Sequence, residues 1–428
     1  MSDVSIEVVG DWLGTTGDPE EATFASLVVL AGGVPLTEVH DALSRSIRPS
    51  IRVPAVRVAR WLLTEWWRLR WEARPEVVTP EWRMAHSMAG IGGGYAWPDL
   101  EISSDGETVQ LSIEGERSPD AAAIRFLQRA RIEVPAAAWE SAVDRFVDTV
   151  ETRLGDVLPE AQEIAELRAE LRAERDDSGL ALRCRREARA GYEPGDASAD
   201  WHLSVERLAA ESGPISAEEV LAVTHDGVPG LSALHQLRAA TTEIDLAAAS
   251  RVTVEASGKP WERASSAARR ARDLLGVGEG PLGDDKLAEV LGRRLPVEGT
   301  ASADVEIAGG FRPRDGGGSA RVLLGTERPT SQRFALARLF GMAALLPRAE
   351  QGLVLTSVKS AAQKFSRAFA QELLCPWAEL DAFTDEHGVG ERAIARAASR
   401  YQISEMAITA SLVNHGKLER DRLATFTS

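Results

Sequence analysis

Two stretches of the chain carry side chains whose types and spacing suit chemistry. The first is WRMAHSMAGIGGGYAWPDL, which joins His86 to Trp82, Tyr95 and Trp97 and to glycines 90, 92, 93 and 94. Glycines let a backbone approach a ligand closely, and the aromatic faces suit stacking on a base or a sugar. An enzyme site with His86 at its centre is one reading. The dinucleotide fingerprint is not met, because Tyr95 stands at its third glycine and no strand precedes it. The same residues equally suit a tight loop over an aromatic core. The second stretch holds Arg45, Arg48, Arg52, Arg57, Arg60, Arg68 and Arg70 against a single acid, Glu65, over 26 residues. That local charge suits a phosphate-bearing ligand or nucleic acid, with Arg52, Arg57 and Arg60 as its centre. The alternatives are solvation, pairing with acids elsewhere in the chain, and cation–π contact with tryptophan faces.

Other routes to catalysis find little support. Gly258-Lys259 is followed by Pro260 and lacks P-loop spacing. There is no G-x-S-x-G elbow. No two histidines lie within one helical turn of each other, and Cys184 and Cys375 are the only cysteines. Asp176-Asp177 and Asp284-Asp285 read as solvated turns or caps.

The elements that must position these residues follow from composition and periodicity. The chain has 428 residues, 44% hydrophobic and 27% charged, which suits two or three domains of an ordinary soluble protein. A formal charge of −16 argues against a dedicated nucleic-acid binder. Two distant cysteines fit a reducing cytoplasm. The beginning of the chain does not read as a signal peptide, and no apolar run reaches membrane-spanning length. The expected localisation is cytoplasmic, with no cofactor and no membrane partner.

The expected class is α+β, mostly helical, in three parts. Residues 1–118 form a small Trp-rich α+β module, with seven of the eleven tryptophans before residue 100. SIEVVG and ATFASLVVLAGG read as strands, VPAVRVARWLLTEWWRLRWE as a helix, and LEISSDGETVQLSIEG as a hairpin turning at Asp105-Gly106. Residues 119–257 read as helical, beginning with SPDAAAIRFLQRARI. AAWESAVDRFVDTVETRLG follows as an amphipathic helix. PEAQEIAELRAELRAERDD follows it, a solvent-facing helix supported by i,i+4 pairs. Residues 258–428 open with the helix PWERASSAARRARDLLGV. The strands ADVEIAGGF and SARVLLG come next, then two further helices and a closing helical run.

This last part resembles the ImmA/IrrE family of bacterial zinc endopeptidases. VEIAGGFRPRDGGGSARVLLG is similar to the family's Gly-rich hairpin. RFALARLFGM, from Arg333 to Met342, is similar to R-F-x-L-A-H-E-L-G-H, the helix that carries two zinc ligands and the general base. QKFSRAFAQELLCP, from Gln363 to Pro376, is similar to the following helix, E-x-x-A-N-x-F-A-A-x-L-L-x-P. ASRYQISEMAITASLVNHGKL is similar to the closing helix-turn-helix-like pair. Residue by residue, the resemblance puts Arg338 and Met342 on the two zinc histidines, Leu339 on the general base and Gln363 on the third ligand. A guanidinium cannot hold a cation, and Leu339 has nothing to titrate. Phe334, Leu336, Gly341, Phe369, Leu373, Leu374 and Pro376 keep the packing positions.

The resemblance therefore implies a pseudo-metallopeptidase: no catalysis, no zinc, and a role as sensor, scaffold or regulatory partner of another protein. Family members serve in stress response, toxin–antitoxin pairs and phage defence. It also implies that Arg338 and Gln363 line the old peptide groove. The closing pair carries no Lys or Arg in SEMAITASLVNHG, so packing suits it better than DNA reading.

Overall fold

The computed structural model describes residues 3–15, 17–75, 77–114, 123–159, 161–223, 231–297, 307–314, 318–419 and 422–423. They form a mostly helical α+β structure in two compact units. Residues 1–202 with 358–360 make the first, and residues 203–357 with 361–428 the second. The helical stretch expected at 119–257 is thus shared between the units.

The first unit begins with β1 (Val4–Val8), the short helix α1 (Pro19–Ala22), β2 (Phe24–Ala31) and β3 (Val34–Pro35). β4 (Val39–Asp41), β5 (Ser46–Arg48) and β6 (Ile51–Pro54) follow. Strands β1, β2, β3 and β6 make one antiparallel sheet, with Val4 opposite Ala31 and Phe24 opposite Pro54. Alternation explains its buried face, where Val4, Ile6, Leu27, Val29 and Ala31 point into the core.

Helices α2 (Ala55–Thr64), α3 (Trp66–Trp71) and α4 (Pro80–His86) come next. The single helix expected across residues 53–72 is broken at Glu65, the residue that ends α2 and starts α3. Strands β7 (Leu100–Ser104) and β8 (Thr108–Ile113) form the expected hairpin. The helix expected from SPDAAAIRFLQRARI needs correcting. Residues 115–122 lie outside the described residues, and the rest forms β9 (Ile124–Phe126) and β10 (Ala130–Pro135). β10 pairs with β8, and β9 joins β4 in a separate three-stranded sheet. The signal for β10 was the alternation of Ile132 and Val134, β-branched residues that favour pleated pairing over helix.

α5 (Ala136–Val157) then lays Trp139, Ala142, Val143, Phe146, Val150 and Leu154 along one buried stripe, in the same core as Trp61 and Trp66. α6 (Glu163–Asp176) and α7 (Ser178–Arg189) follow. The ion pairs of α6 run to neighbouring helices rather than along it. Arg168 reaches Asp148 at 3.0 Å and also Glu151, Arg175 reaches Asp144 at 3.3 Å, and Glu163 takes Arg60 at 2.6 Å.

α8 (Ala199–Ser212) spans the division. The second unit continues with α9 (Pro214–Leu221), α10 (Leu231–Ala239), β11 (Glu243–Asp245), α11 (Pro260–Leu274) and α12 (Asp284–Leu291). β12 (Ala308–Phe311) and β13 (Ser319–Leu323) follow; residues 303–306 and 315–317 of the expected hairpin lie outside the described residues. Then come α13 (Pro329–Leu345), β14 (Gly352–Leu355), α14 (Ala361–Leu374), α15 (Trp377–His387), α16 (Glu391–Tyr401) and α17 (Glu405–Asn414). The sheet order is β11-β13-β12-β14, antiparallel throughout. α13 is buried on most of its circumference and packs against α14 and β14. Gly341 permits that approach, because a Cβ there would lie 2.8 Å from the Phe369 ring. Ile408 and Leu412 of α17 join the same core, so the closing helix pair packs. Among the described residues no helix is long and apolar enough to cross a membrane.

Candidate functional site

The second unit brings two of the singled-out residues into contact. Arg338, in the middle of α13, points at the first turn of α14 and donates to Gln363 Oε1. Its guanidinium also donates to Ser366 Oγ at 3.2 Å and to the Thr356 carbonyl at 3.1 Å. The side chain is half-buried, and burial together with the neighbouring Arg367 guanidinium pulls its pKa well below the ordinary arginine range. Leu339 and Met342 turn into the apolar core instead. Among the described residues no group of three His, Cys, Asp or Glu side chains is placed to hold a metal ion.

Gln363 does more than hold Arg338. Its amide accepts from Thr356 N–H at 3.1 Å and donates to the Val354 carbonyl at 2.8 Å. Those two groups flank the outer edge of β14, the terminal strand of the sheet. The amide therefore bonds to the strand as a neighbouring strand's peptide group would. Further along, Ser216 Oγ donates to the Gly352 carbonyl at 2.6 Å. At the other end, Arg367 joins Arg338 on the Thr356 carbonyl at 2.8 Å. Glu350 completes the edge by accepting from the Ile215 and Ser216 N–H groups at 3.2 and 3.1 Å, at the start of α9. An open sheet edge invites an added strand; here the carbonyls of Gly352, Val354 and Thr356 and the Thr356 N–H are taken by the chain's own side chains.

Gln363 has 0% exposure. The expectation that it lines an open groove is corrected, since a primary amide with both ends bonded to an edge strand has no reason to face solvent. Arg338 turns its guanidinium into the same bonds.

The His86 stretch is a closed structure in the first unit. Thr79 caps α4 by accepting from Trp82 N–H at 3.2 Å. Trp82 then stacks on His86 one turn later, with ring centroids 4.1 Å apart. His86 is fully buried. Its Nδ1 lies 2.7 Å from the Ile102 carbonyl and its Nε2 lies 3.0 Å from Glu72 Oε2. Burial alone would raise the Glu72 carboxyl, but His86 and Arg68 hold it below its ordinary value. The glycines wrap the loop around side chains rather than around an opening. Gly93, at φ +75°, sits where a Cβ would strike the Arg57 guanidinium, and Trp97 donates to the Gly92 carbonyl at 2.7 Å. Tyr95 lies beneath Arg57 and reaches Glu20 at 3.4 Å.

The arginine stretch is largely consumed within its own unit. Arg57 pairs with Glu20 at 2.5 Å, Arg60 with Glu163, Arg48 with Asp41 at 3.5 Å and Arg70 with Glu140 at 2.6 Å. Arg70 also lies over Trp71, 4.1 Å from the ring, and Arg185 and Arg189 approach the same ring. Arg52 stays exposed on β6. The patch expected around Arg52, Arg57 and Arg60 is thus two paired cations and one exposed arginine, because the acids that neutralise it come from α1 and α6.

Three features escaped the sequence reading. Glu72 and Glu193 both bond Arg68, at 2.7 and 2.8 Å, from positions that periodicity does not mark. Gln332 clamps Val297, accepting from its N–H at 2.7 Å and donating to its carbonyl at 3.0 Å. Ser216 and Glu350 meet from 134 residues apart. The available signal was a glutamine on the buried side of an apolar helix, at both Gln332 and Gln363, where an amide must find backbone partners. No protein-family model, curated protein or solved structure matches the chain.

Proposed function

We propose that this chain is a non-catalytic, ImmA/IrrE-like pseudo-metallopeptidase that acts through protein contacts as a sensor, scaffold or regulatory partner. The observation that carries the reading is the bond between Arg338 and Gln363. The resemblance puts a first zinc ligand on one and a third on the other, and the two side chains meet across α13 and α14. A guanidinium occupies the place the resemblance gives to a cation and binds the oxygen of the residue given to a ligand. Leu339, on the general-base position, is fully buried and cannot activate water. The packing positions Gly341 and Phe369 touch as a close helix pair requires.

The consumed edge of β14 refines the reading. A partner is received on another surface than this edge, because strand addition would have to break the bonds of Gln363 and Ser216 first. The cellular settings of the family, namely stress response, toxin–antitoxin pairs and phage defence, come with the proposal. So does a cytoplasmic location, which two buried free cysteines suit.

The test is metal analysis of the purified full chain together with a protease assay on unfolded casein. The expected result is substoichiometric zinc and no cleavage, unchanged by a chelator. Stoichiometric zinc with chelator-sensitive cleavage would overturn the proposal.

A further inference from the structure

The sheet of the second unit is left uncovered at one level of its strands. There Glu243, Arg321, Phe311 and Gly352 stand in register on β11, β13, β12 and β14. Two residues back along β12, on the same face, Leu237 of α10 seats against Gly309, where a Cβ would lie 3.4 Å from it. α10 ends two residues later, at Ala239, and an open cleft of about 480 Å³ remains beside it. His235, Arg238 and Ala239 line the cleft from the helix, and Phe311, Pro313 and Arg321 line it from the sheet and the turn after β12. Small-molecule sites usually measure about 300–1,000 Å³.

None of these lining residues is acidic. Glu211 and Glu243 hold the cations in place instead. Arg238 gives one terminal nitrogen to Glu211 and lies 5.5 Å from the centroid of the Phe311 ring. Arg321 donates at 3.0 Å to the Arg238 carbonyl, in the last turn of α10, and its Nε lies 3.7 Å from Glu243. Each guanidinium is thus oriented, and the second terminal nitrogen of each takes no hydrogen-bond partner among the described residues. His235, one turn before Ala239, is largely exposed and lies 4.0 Å from Glu211.

We propose that this cleft binds a small anion carried on a flat ring, with the ring against Phe311 and Pro313 and the charge on Arg321 and Arg238.

The two halves of that ligand answer two halves of the cleft. Phe311 and Pro313 offer apolar surface, which gains from covering a ring and gains nothing from a bare inorganic ion. Two guanidiniums fixed beforehand bind a carboxylate or phosphate without first being ordered. The Arg321–Glu243 contact does not block this, because it is long and open to solvent. A nucleoside monophosphate and an aromatic carboxylate share this chemistry. The site uses neither Arg338 nor Gln363, so it stands or falls separately from the peptidase resemblance.

Isothermal titration of the full chain tests this with adenosine monophosphate, 2-naphthoate and inorganic phosphate. At least one ring-bearing probe should bind once per chain with a Kd below about 1 mM. The tighter of the two tells a nucleotide from an aromatic acid. Inorganic phosphate should bind at least about tenfold more weakly, because it leaves the ring surface uncovered. Arg321→Ala should weaken the better probe at least about tenfold by removing a charge-assisted bond. Its side chain is half-exposed, so the fold should survive, which circular dichroism checks. Hydrogen–deuterium exchange of the wild type locates the site without a variant: the better probe should protect the end of α10 and β13. The proposal is overturned by three outcomes of titration: neither ring-bearing probe reaching that affinity, phosphate binding as tightly as the better one, or Arg321→Ala leaving its Kd unchanged. Protection confined to other elements overturns it as well.

Discussion

The two units bury guanidinium groups by different chemistry. In the first, arginines meet carboxylates: Arg68 lies on Glu72 and Glu193, Arg57 on Glu20, and Arg168 on Glu151 and Asp148. Burial works against the charge at Arg68 and Arg168, yet the carboxylates reverse it and all three pKa values rise. In the second, Arg333 pairs with Asp284 yet burial still lowers its pKa, and three other buried arginines meet mainly dipoles. Arg272 donates to the carbonyls of Leu373, Gly278 and Gly280 at 2.6 Å each, Arg312 to those of Pro347 and Ala343, and Arg338 to Gln363, Ser366 and Thr356. Burial wins there, and the pKa values of Arg272, Arg312 and Arg338 fall. Removing one partner of a buried cation–anion pair is costly, because it leaves the other charge uncompensated. A cation held by dipoles fixes geometry at a cost in desolvation, and its polar partners matter more than its charge.

Four substitutions would break or sharpen that contrast, each read by urea unfolding of the full chain. Gln363→Ala should have the largest effect, a loss of about 2–4 kcal/mol, since it strands the Thr356 N–H and the Val354 carbonyl and leaves a cavity. A loss under about 1 kcal/mol would mean that the strand edge is not sealed by this amide. Glu72→Gln should cost about 1–3 kcal/mol near neutral pH by removing the carboxylate that His86 and the Arg68 Nε share, with Glu193 left as the remaining anion on Arg68. Because the Glu72 carboxyl sits below its ordinary value, its contribution is complete above the unfolded pKa of about 4.5 and is lost as pH falls through the folded value. Wild type and Glu72→Gln should therefore converge on acidification, and a constant gap would contradict the assignment.

Arg338→Met should change stability by no more than about 1 kcal/mol in either direction, because Gln363 keeps Thr356 and Val354 while an apolar chain of similar length replaces a desolvated charge. A loss above about 2 kcal/mol would place Arg338 with the compensated arginines of the first unit. The smallest effect belongs to Arg60→Ala, at about 0.5 kcal/mol, since its pair with Glu163 is open to solvent and screened by salt.

Long periodic elements were legible in the sequence. The stripe from Trp139 to Leu154 marks α5, Pro260 marks the start of α11, and the apolar face through Phe365, Phe369 and Leu373 marks α14. Short strands were not. β9 and β10 lie in a stretch whose Ser-Pro start and alanines mimic a helix, and β11 has three residues. The break at Glu65 is invisible to periodicity because both sides keep their apolar spacing. At the candidate sites, the sequence named Arg338, Gln363 and His86 but not the edge strand, Thr356, Glu72 or Glu193 that occupy them.

By itself, the order of residues determined the long amphipathic helices and the faces they bury, and that Arg338, Leu339, Met342 and Gln363 carry no set of metal donors. Those properties are local, set by side-chain chemistry and by spacing along a helix. Only the tertiary structure decided where each charge goes. Arg57 finds Glu20, Arg60 finds Glu163 and Gln363 finds the edge of β14 because folding brings together groups from separate elements. A buried polar atom must take whichever partner that packing supplies.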